Sequence, residues 1–269
     1  MEDQKKSKQE LDRIEDRARL RVPLIYEIVR QEGDEEMDRP TNSLWWSGIA
    51  AGLSISFSLL TQAVINAALP DEPWRQLISP LGYSIGFLIV ILARQQLFTE
   101  NTVTVVLPLM ADFNRRNLIR SGRVWGIVFA ANMVGAFVAA GFCTFTPVLT
   151  PEIRGSMLEV SQHAIDFGWW ELVFRGITAG FLIAALTWLI PSAKGTEFFV
   201  ILLMTYLIAL FHSAHVVAGA VDVFMLGMAG TAGVGQLLGG FIVPALIGNI
   251  IGGTGLFALL AYGQVMEEL

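Results

Sequence analysis

Two histidines in the middle of a long apolar run are the residues best placed to do chemistry in this sequence. His212 and His215 lie in the stretch FHSAHVVAG, residues 211–219, and they are two of the three histidines of the chain. An imidazole ring in a lipid environment is costly unless it faces protein or water, so an ionisable residue here predicts a functional site. A histidine that is only hydrogen-bonded inside a helix bundle is the alternative interpretation.

The chemistry that such a histidine could support is proton exchange with a small weak acid. A bare monovalent anion in a narrow apolar pore loses most of its hydration, and protonation removes most of that penalty. A histidine that titrates near neutrality can supply or share the proton. A second polar stretch, RQQLFTENT at residues 94–102, interrupts an apolar run in the first half of the chain. Its Thr99 hydroxyl could hold the imidazole in one tautomer through a hydrogen bond.

The elements that must position these side chains are membrane helices. The chain has 54% hydrophobic and only 16% charged residues over 269 positions, with a positive mean hydropathy, which is too apolar for a soluble domain of this length. Uncharged stretches that are long enough for membrane spans recur along the chain, at residues 44–70, 76–93, 124–151, 176–193, 198–221 and 223–265. We therefore predict a polytopic α-helical membrane protein, since a barrel would show alternating segments of ~10 residues.

The distribution of positive charge predicts six spans with both termini in the cytoplasm. Of the eighteen Lys and Arg residues, fourteen fall before residue 40, between the second and third spans, or between the fourth and fifth, and only Arg75 and Arg154 fall in the opposite loops. Positive residues are retained on the cytoplasmic side. The predicted spans are residues 44–69, 77–111, 124–148, 169–190, 198–227 and 237–262, of which polar residues interrupt the second and the fifth.

Residues 1–40 form a highly charged segment ahead of a channel domain predicted over residues 41–269. Apolar side chains from Leu11 to Val29 recur there at roughly helical spacing, which is typical of a surface helix, and a solvated tail is the equally weighted alternative. The first apolar run begins only after this segment, so we expect no cleavable signal peptide. The single Cys143 lies in an apolar run and excludes a disulfide within one chain.

The two halves of the chain repeat one another in inverted orientation. NMVG at residues 132–135 in the third span corresponds to NIIG at residues 249–252 in the sixth. Thr99 precedes the first of these asparagines by 33 residues, and His215 precedes the second by 34. Three spans in each half place the second copy upside down. Inverted repeats whose broken helices meet near the midplane mark a transport site.

Three motifs, in order along the chain, resemble the formate/nitrite transporter family. LFT at residues 97–99 is similar to that family's loop in the second span, and HVVA at residues 215–218 is similar to its central-histidine loop in the fifth. GNIIGG at residues 248–253 is similar to its sixth-span signature. The similarity covers residues 25–262, and GDEEMDRP at residues 33–40 resembles the corresponding segment of the YfdC-like branch of the family.

The resemblance implies an all-α, aquaporin-like protomer with six transmembrane helices, a 3+3 inverted repeat and broken second and fifth helices. It implies a homopentamer in the bacterial inner membrane that passes small monovalent anions or their weak acids, such as formate, nitrite, acetate, lactate or hydrosulfide. It implies that Thr99 and His215 face each other at the pore centre, and that four further residues line or narrow the pore: Leu97, Phe98, Tyr83 and Phe87. The expected partners are lipid and the small acid, with no nucleic acid, cofactor or metal.

The sequence departs from the usual pattern of the family at four places near the pore. The family usually has Glu before the central histidine and Asn four residues after it, a Lys in the loop that enters the fourth span, and an Asn in that span. The residues found here are Ala214, Gly219, Ala164 and Gly180. The predicted pore centre therefore has fewer hydrogen-bonding groups than the family pattern.

Two arginines inside the predicted spans could supply the charge that attracts anions. Arg94 or Arg175 would then take the place of the missing lysine. Alternatively, Arg175 pairs with Glu171, which lies four residues earlier on the same helix. Glu100 is a candidate partner for Arg94 across the loop, and such a pair would lower the value of Arg94 as a selectivity charge.

The leading functional hypothesis is a passive or proton-linked channel for small weak acids. A transport-inactive or regulatory membrane protein of the same fold is the alternative, and a neutral small-solute pore is a third, although neither break contains Asn-Pro-Ala. An enzyme is least expected, because the chain lacks HExxH, Gly-x-Ser-x-Gly and a pair of membrane aspartates. We interpret His212 as structural, and Asp222 as either a vestibule residue or a member of an ion pair.

Overall fold

A computed structural model of the protein describes residues 20–268, and over these residues the chain is helical, without a β-strand. Five helices are long and apolar enough to cross a membrane: Thr41–Ala68, Arg75–Leu92, Arg115–Phe145, Trp169–Ser192 and Gln236–Val265. Two shorter apolar helices, Glu197–Leu210 and Val216–Met228, together form the remaining span. The predicted all-α membrane fold, with broken second and fifth spans, is confirmed.

The helices, numbered in chain order, are α1 (Val22–Asp38), α2 (Thr41–Ala68), α3 (Arg75–Leu92, with a 3₁₀ turn at Ser79–Tyr83), α4 (Phe98–Thr104), α5 (Val106–Ala111), α6 (Arg115–Phe145), α7 (Pro151–Gln162), α8 (Trp169–Leu189), α9 (Glu197–Leu210), α10 (Val216–Met228) and α11 (Gln236–Val265). Helices α3 to α5 form the second span and α9 and α10 form the fifth. Helices α2, α6, α8 and α11 are the first, third, fourth and sixth spans, and α7 lies in the loop between the two halves.

Close glycine contacts join the first span to the third and the fourth span to the sixth. A Cβ atom on Gly52 of α2 would stand 2.8 Å from the Cα of Gly135 on α6. A Cβ atom on Gly176 of α8 would stand 3.0 Å from the Cα of Gly248 on α11. Side chains at these positions would push the helices apart. Each half is therefore built around the same kind of backbone contact between its two unbroken spans.

Helix α1 packs along the transmembrane helices. The Tyr26 ring is buried, with its centroid 6.1 Å from that of Tyr262 near the end of α11. The backbone at Gly33 packs directly on the carbonyl end of α4, where a side chain would collide with the chain. Leu11 and Ile14, which belong to the predicted surface helix, lie outside the described residues. Helix α1 thus closes over one end of the second span.

Helix α11 is not a uniform α-helix. It contains two π-helical segments, Gln236–Ile242 and Ile251–Ala258, on either side of an α-helical segment, Val243–Ile250. Turns of this wider kind are frequently found at functional sites in proteins. The sequence predicted one continuous sixth span and gave no sign of the wider turns.

Candidate functional site

The second and fifth spans are broken by two short segments that have the same backbone geometry. Arg94 and His212 adopt left-handed conformations, with φ angles of 52° and 49°. In each break the amide of the following residue donates to the carbonyl five residues before it, at 2.9 Å in both cases. A left-handed conformation costs a non-glycine residue about 1–2 kcal/mol. Other contacts must therefore hold each break in place.

In the first half of the molecule that contact comes from Asn132 of α6. Its Oδ1 accepts a hydrogen bond from the backbone amide of Phe98 at 2.9 Å. Its Nδ2 donates to the carbonyls of Gly48 and Gln96, both at 2.8 Å. Asn132 is fully buried, and its bonds to Phe98 and Gln96 satisfy backbone groups of the break that would otherwise be left unpaired in the interior.

Asn249 of α11 does the same in the second half. Its Oδ1 accepts a hydrogen bond from the backbone amide of Val216 at 2.9 Å. Its Nδ2 donates to the carbonyls of Gly176 and Ala214, at 3.0 and 2.7 Å. Asn249 is also fully buried. The two asparagines are therefore equivalent braces of the two breaks.

These braces fix which residues of the two breaks are equivalent. The asparagine of the first half binds the amide of Phe98, 34 residues before it, and that of the second half binds the amide of Val216, 33 residues before it. Leu97 is therefore the equivalent of His215. The sequence spacing had paired Thr99 with His215 as equivalent residues of the repeat. Thr99 in fact lies two residues after Leu97, the true equivalent of His215. The spacing was misleading because it compared the polar side chains of the two breaks. The feature that repeats is the backbone amide that binds the asparagine.

Thr99 and His215 meet between the two breaks. Thr99 Oγ1 lies 2.7 Å from His215 Nε2, and both side chains are buried. His215 is also the N-cap of α10, because its Nδ1 accepts the Ala218 amide at 3.1 Å. A backbone amide can only donate, so Nδ1 carries no hydrogen and the proton of the neutral ring is on Nε2. Nε2–H therefore donates to the Thr99 hydroxyl, and the orientation of the ring is fixed at both nitrogens.

Apolar side chains surround this polar contact. The rings of Phe87 and His215 meet edge to face with their centroids 5.0 Å apart, and the Tyr83 ring lies 5.2 Å from that of Phe87. Leu97 and Phe98 are buried where α4 begins. The Phe98 ring packs against two aromatic rings of α6. The structure thus links Tyr83, Phe87, Thr99 and His215 through direct contacts, and the pore-lining role of the six residues stays a prediction.

A cavity of about 150 Å³ opens on one side of the contact. We call it the outer cavity, since it is bordered by the loop that the charge distribution places outside the cytoplasm. Its walls include Tyr83, Ala164, Phe167, His212, Ala214, His215, Gly219, Asp222 and Phe241. Ser161 Oγ donates to Asp222 Oδ1 at 3.4 Å, and over the described residues Asp222 forms no ion pair. Asp222 was interpreted either as a vestibule residue or as a member of an ion pair, and its place in the wall of the outer cavity favours the first interpretation.

A second cavity, of about 240 Å³, lies under α1 and is called the inner cavity here. Its walls include Glu32, Glu36, Arg94, Gln95, Gln96, Glu100, Asn101, Thr104 and Glu197. Arg94 is largely exposed, and its Nη2 lies 3.2 Å from Glu32 Oε1. Burial raises the pKa of the Glu32 carboxyl above its ordinary value, and the Arg94 guanidinium opposes that rise.

The expected pair between Arg94 and Glu100 is not formed. Arg94 leaves its left-handed turn toward α1 and pairs with Glu32 instead. Glu100 lies in the first turn of α4, where the unpaired amides of a helix favour a negative charge. The charge of Arg94 at the inner cavity is therefore offset by a residue of α1 and not by one of the break.

Arg175 joins the fourth span to the break in the fifth. Its Nε and Nη2 donate to Glu171 Oε1 at 3.1 and 2.9 Å, which is the expected helical ion pair. Its Nη1 donates to the carbonyls of Phe211 and His212, both at 3.2 Å, and its guanidinium lies 3.7 Å from the centroid of the Phe167 ring. These contacts give Arg175 an anchoring role. Its role as an anion-attracting charge remains a prediction.

One departure from the family pattern, Gly180, has a local explanation. At Gly180 a Cβ atom would stand 2.7 Å from the Cα of Asn249, so a side chain has no room there. The backbone of Ala214 is held by the same asparagine. His212 lies near the rim of the outer cavity with its ring centroid 5.7 Å from that of His163. Its left-handed backbone and its carbonyl, bonded to Arg175, are consistent with the structural role assigned to it.

Sequence reasoning missed two kinds of residue at this site. Asn132 and Asn249 were noted only as markers of the repeat, although a polar residue inside an uncharged span was a signal of a buried hydrogen-bonding role. Phe241 borders the outer cavity, and nothing in its local sequence distinguishes it from a lipid-facing residue. Its position follows from the fold of α11 and not from a motif.

The chain and its fold match known proteins over nearly their whole length. The family model described as formate/nitrite transporter matches residues 23–263. The chain is 39% identical over 255 residues to the Inner membrane protein YfdC of Escherichia coli (strain K12), covering 95% of this chain and 82% of that protein. It is 30% identical over 251 residues to the Uncharacterized transporter YrhG of Bacillus subtilis (strain 168), covering 88% and 92%. A solved structure described as a pentameric formate channel with formate bound superposes with a TM-score of 0.73 at 20% identity, covering 84% of this chain and 98% of that one. This protein belongs to the formate/nitrite transporter family.

Proposed function

We propose that this protein is an inner-membrane channel for small monovalent weak acids of the size of formate, which cross the Thr99–His215 contact as neutral molecules. The observation that carries the proposal is that contact, 2.7 Å long and buried at the inner end of the outer cavity. The description of the solved structural neighbour as a formate channel supports the choice of substrate.

The physical reason is the cost of moving a charge through an apolar constriction. A carboxylate that leaves water for the surroundings of Phe87, Leu97 and Phe98 loses its hydration, and an apolar pore wall has no hydrogen-bond donors to replace the lost water. An anion that takes up one proton enters as a neutral acid and avoids most of this cost. Each anion that crosses would thus carry one proton with it.

His215 and Thr99 are suited to share that proton. In the resting arrangement Nε2–H donates to the Thr99 hydroxyl, and the same two groups can turn to an acid oxygen that arrives at the centre. Helix α10 begins at His215, so its positive end favours partial negative charge on that oxygen. For the ring to supply the proton, Nδ1 must release the Ala218 amide and take a proton from water while Nε2–H passes to the anion, which leaves a neutral ring with its proton on Nδ1.

We further propose the assembly and orientation of the protein. A homopentamer is supported by the description of the solved neighbour as pentameric, and the inner membrane by the name of the relative from Escherichia coli. The charge distribution supports cytoplasmic termini, with residues 1–40 as a cytoplasmic segment ahead of the channel domain 41–269. Native mass spectrometry of the purified protein tests the pentamer, and cysteine labelling at the two ends of the chain tests the orientation.

Flux of formate into proteoliposomes that contain a pH-sensitive dye tests the function. Entry of neutral acid acidifies the lumen, and we expect a fast acidification with the wild-type protein. His215→Asn keeps a side chain that can cap α10 and removes the Nε2–H group, so we expect flux to fall by about 100-fold or more. Thr205→Val, at a buried residue whose hydroxyl donates only within α9 and which borders neither described cavity, serves as the control.

The outcomes separate the alternatives. Wild-type vesicles that take up neither formate, nitrite nor acetate would favour the transport-inactive protein of the same fold. Equal flux in wild-type and His215→Asn vesicles would show that the acid does not cross at the Thr99–His215 contact. Rapid uptake of an uncharged solute such as glycerol, without uptake of acids, would favour the neutral-solute pore.

A further inference from the structure

The ring of Phe241 occupies the space that a side chain at position 219 would fill. A Cβ atom on Gly219 would lie 2.6 Å from Phe241 Cε1 and 3.3 Å from Cε2, with the ring tip Cζ closer still. The ring is buried, with 3% of the residue exposed. It comes from the first π-helical segment of α11, Gln236–Ile242. The ring edge is thus seated directly on the backbone of α10.

This packing lies one helical turn from the central histidine. The Gly219 amide donates to the His215 carbonyl at 2.9 Å, so the two residues lie on the same face of α10. Both of them border the outer cavity, and so does Phe241. An acid that lies in the outer cavity beside the imidazole therefore faces a wall that includes the ring of Phe241.

We propose that Phe241 is a specificity-determining residue, whose ring narrows the outer cavity beside His215 and sets the largest acid that reaches it. The inference rests on the proposed function. A phenyl ring has no hydrogen bond to offer to a carboxyl group and, wedged against a glycine backbone, cannot swing toward α10. It acts as a rigid apolar wall, which passes small acids and excludes those with a longer carbon chain.

The test compares acids of increasing length. We expect Phe241→Ala to raise the ratio of propionate flux to formate flux by about tenfold or more, since a contact with one extra methylene is worth about that factor in a tight apolar site. Phe257→Ala is the matched control. It lies on the same helix, but its ring packs against Phe181 and Trp188, with centroids 5.3 and 6.1 Å away, and does not border either described cavity.

A second variant tests the same packing from α10. Gly219→Ala adds a methyl group that collides with the Phe241 ring, and we expect lower flux of formate, acetate and propionate. In a protein that already carries Phe241→Ala, the same change should have no effect on flux. Coupling of this kind between two substitutions shows direct contact, and Phe241→Leu replaces Phe241→Ala if the latter does not assemble.

An assembled Phe241→Ala protein with the wild-type ratio of propionate to formate flux would overturn the inference. Additive effects of Gly219→Ala and Phe241→Ala would overturn it as well. If wild-type vesicles take up no formate, the proposed function fails and the inference fails with it. If they take up formate and only the ratio stays constant, the proposed function stands and the inference alone is lost.

Discussion

The breaks in the second and fifth spans have the same backbone and different side chains. Both turn at a left-handed residue, and both are held by a buried asparagine. At the position where the second half has His215, however, the first half has Leu97. The comparison shows that the repeat specifies where two helices end and begin. It does not specify the chemistry at their ends.

The difference also explains how the polar pair forms. If the first half were a copy of the second, the residue opposite His215 would be a valine without a hydrogen-bonding group. Instead, Thr99 lies opposite His215, two positions further into its helix than the cap Leu97, and its own equivalent in the second half is Val217. A single polar contact between unequal partners results. The following predictions test how alike the two breaks are.

The largest expected effect comes from removing the braces. Asn132→Ala and Asn249→Ala each remove three hydrogen bonds and leave one amide and one carbonyl of the break unpaired in the interior, because the third partner, Gly48 or Gly176, lies within a helix. At about 1–3 kcal/mol for each buried polar group, both variants should lower the free energy of unfolding by about 2 kcal/mol or more. Unfolding in mixed micelles, followed by tryptophan fluorescence, measures the loss.

The control for the braces is Asn66→Ala, which removes one hydrogen bond of 3.1 Å to Ser156 and should cost about 1 kcal/mol. If the two breaks are held equally, the two brace variants will match each other and exceed the control. A large loss in one half and a small loss in the other would show that the equivalence ends at the backbone geometry.

A smaller effect is expected at the pore centre. Thr99→Val makes the first half resemble the second and leaves the His215 Nε2–H without its acceptor. An unpaired buried donor costs about 1–3 kcal/mol, so we expect formate flux to fall about tenfold and Thr99→Ser to retain it. Thr205→Val is the control, because that buried hydroxyl donates only within α9, to the carbonyls of Ile201 and Leu202. Flux at the wild-type rate in Thr99→Val would show that the Thr99 hydroxyl has no role in transport.

Substitutions at the two left-handed residues test whether the two breaks have the same backbone conformation. At Arg94 and at His212, alanine should give a protein less stable than glycine by about 1 kcal/mol, because only glycine adopts this conformation freely. At Ala93, where φ is −84°, the order should reverse. Chemical unfolding of the three Ala and Gly pairs provides the measurement. The same order at all three positions would mean that the breaks relax when they are substituted.

Arg94→Gly also tests the predicted anion-attracting charge, since it keeps the break and removes the guanidinium. We expect lower uptake of formate into proteoliposomes with the oligomer intact. Unchanged uptake would leave Arg94 with its ion pair to Glu32 as its main role.

The smallest effect concerns the contact that only the first break makes with α1. Burial raises the pKa of Glu32 in the folded protein above its ordinary value. The protonated carboxyl therefore contributes its full stabilisation at a pH below the unfolded pKa, and this stabilisation is lost as the pH rises through the folded pKa. Glu32→Gln cannot ionise. It should be more stable than the wild type at neutral pH, by a few tenths of a kcal/mol because solvent screens this partly exposed group, and equal to it below about pH 4. A stability difference that grows on acidification would contradict this.

Much of the fold followed from the sequence because the bilayer restricts what a chain can do. Long uncharged stretches have to be helices, and polar groups such as those of Gln96 or His215 have to lie where two helices are interrupted. The meeting of Thr99 with His215 came from the family resemblance and the two polar stretches. It did not come from the repeat, whose counting was two positions off.

What the sequence could not supply were contacts set by three-dimensional packing. The partner of Arg94 depends on where α1 docks, and α1 lies far from the break along the chain. The seating of Phe241 on Gly219 depends on wider turns in α11 that no pattern marks. The residues in such contacts are not related by any regular spacing in the sequence, so a search for motifs does not find them.

The bonds of the two asparagines stay within their own halves: Asn132 reaches only the first and second spans, and Asn249 only the fourth and fifth. Each bend is therefore braced from within its own unit of three helices. Duplication of one such unit carries the brace into both halves of the chain. The single side chains that distinguish the two units could then diverge afterwards, one at a time.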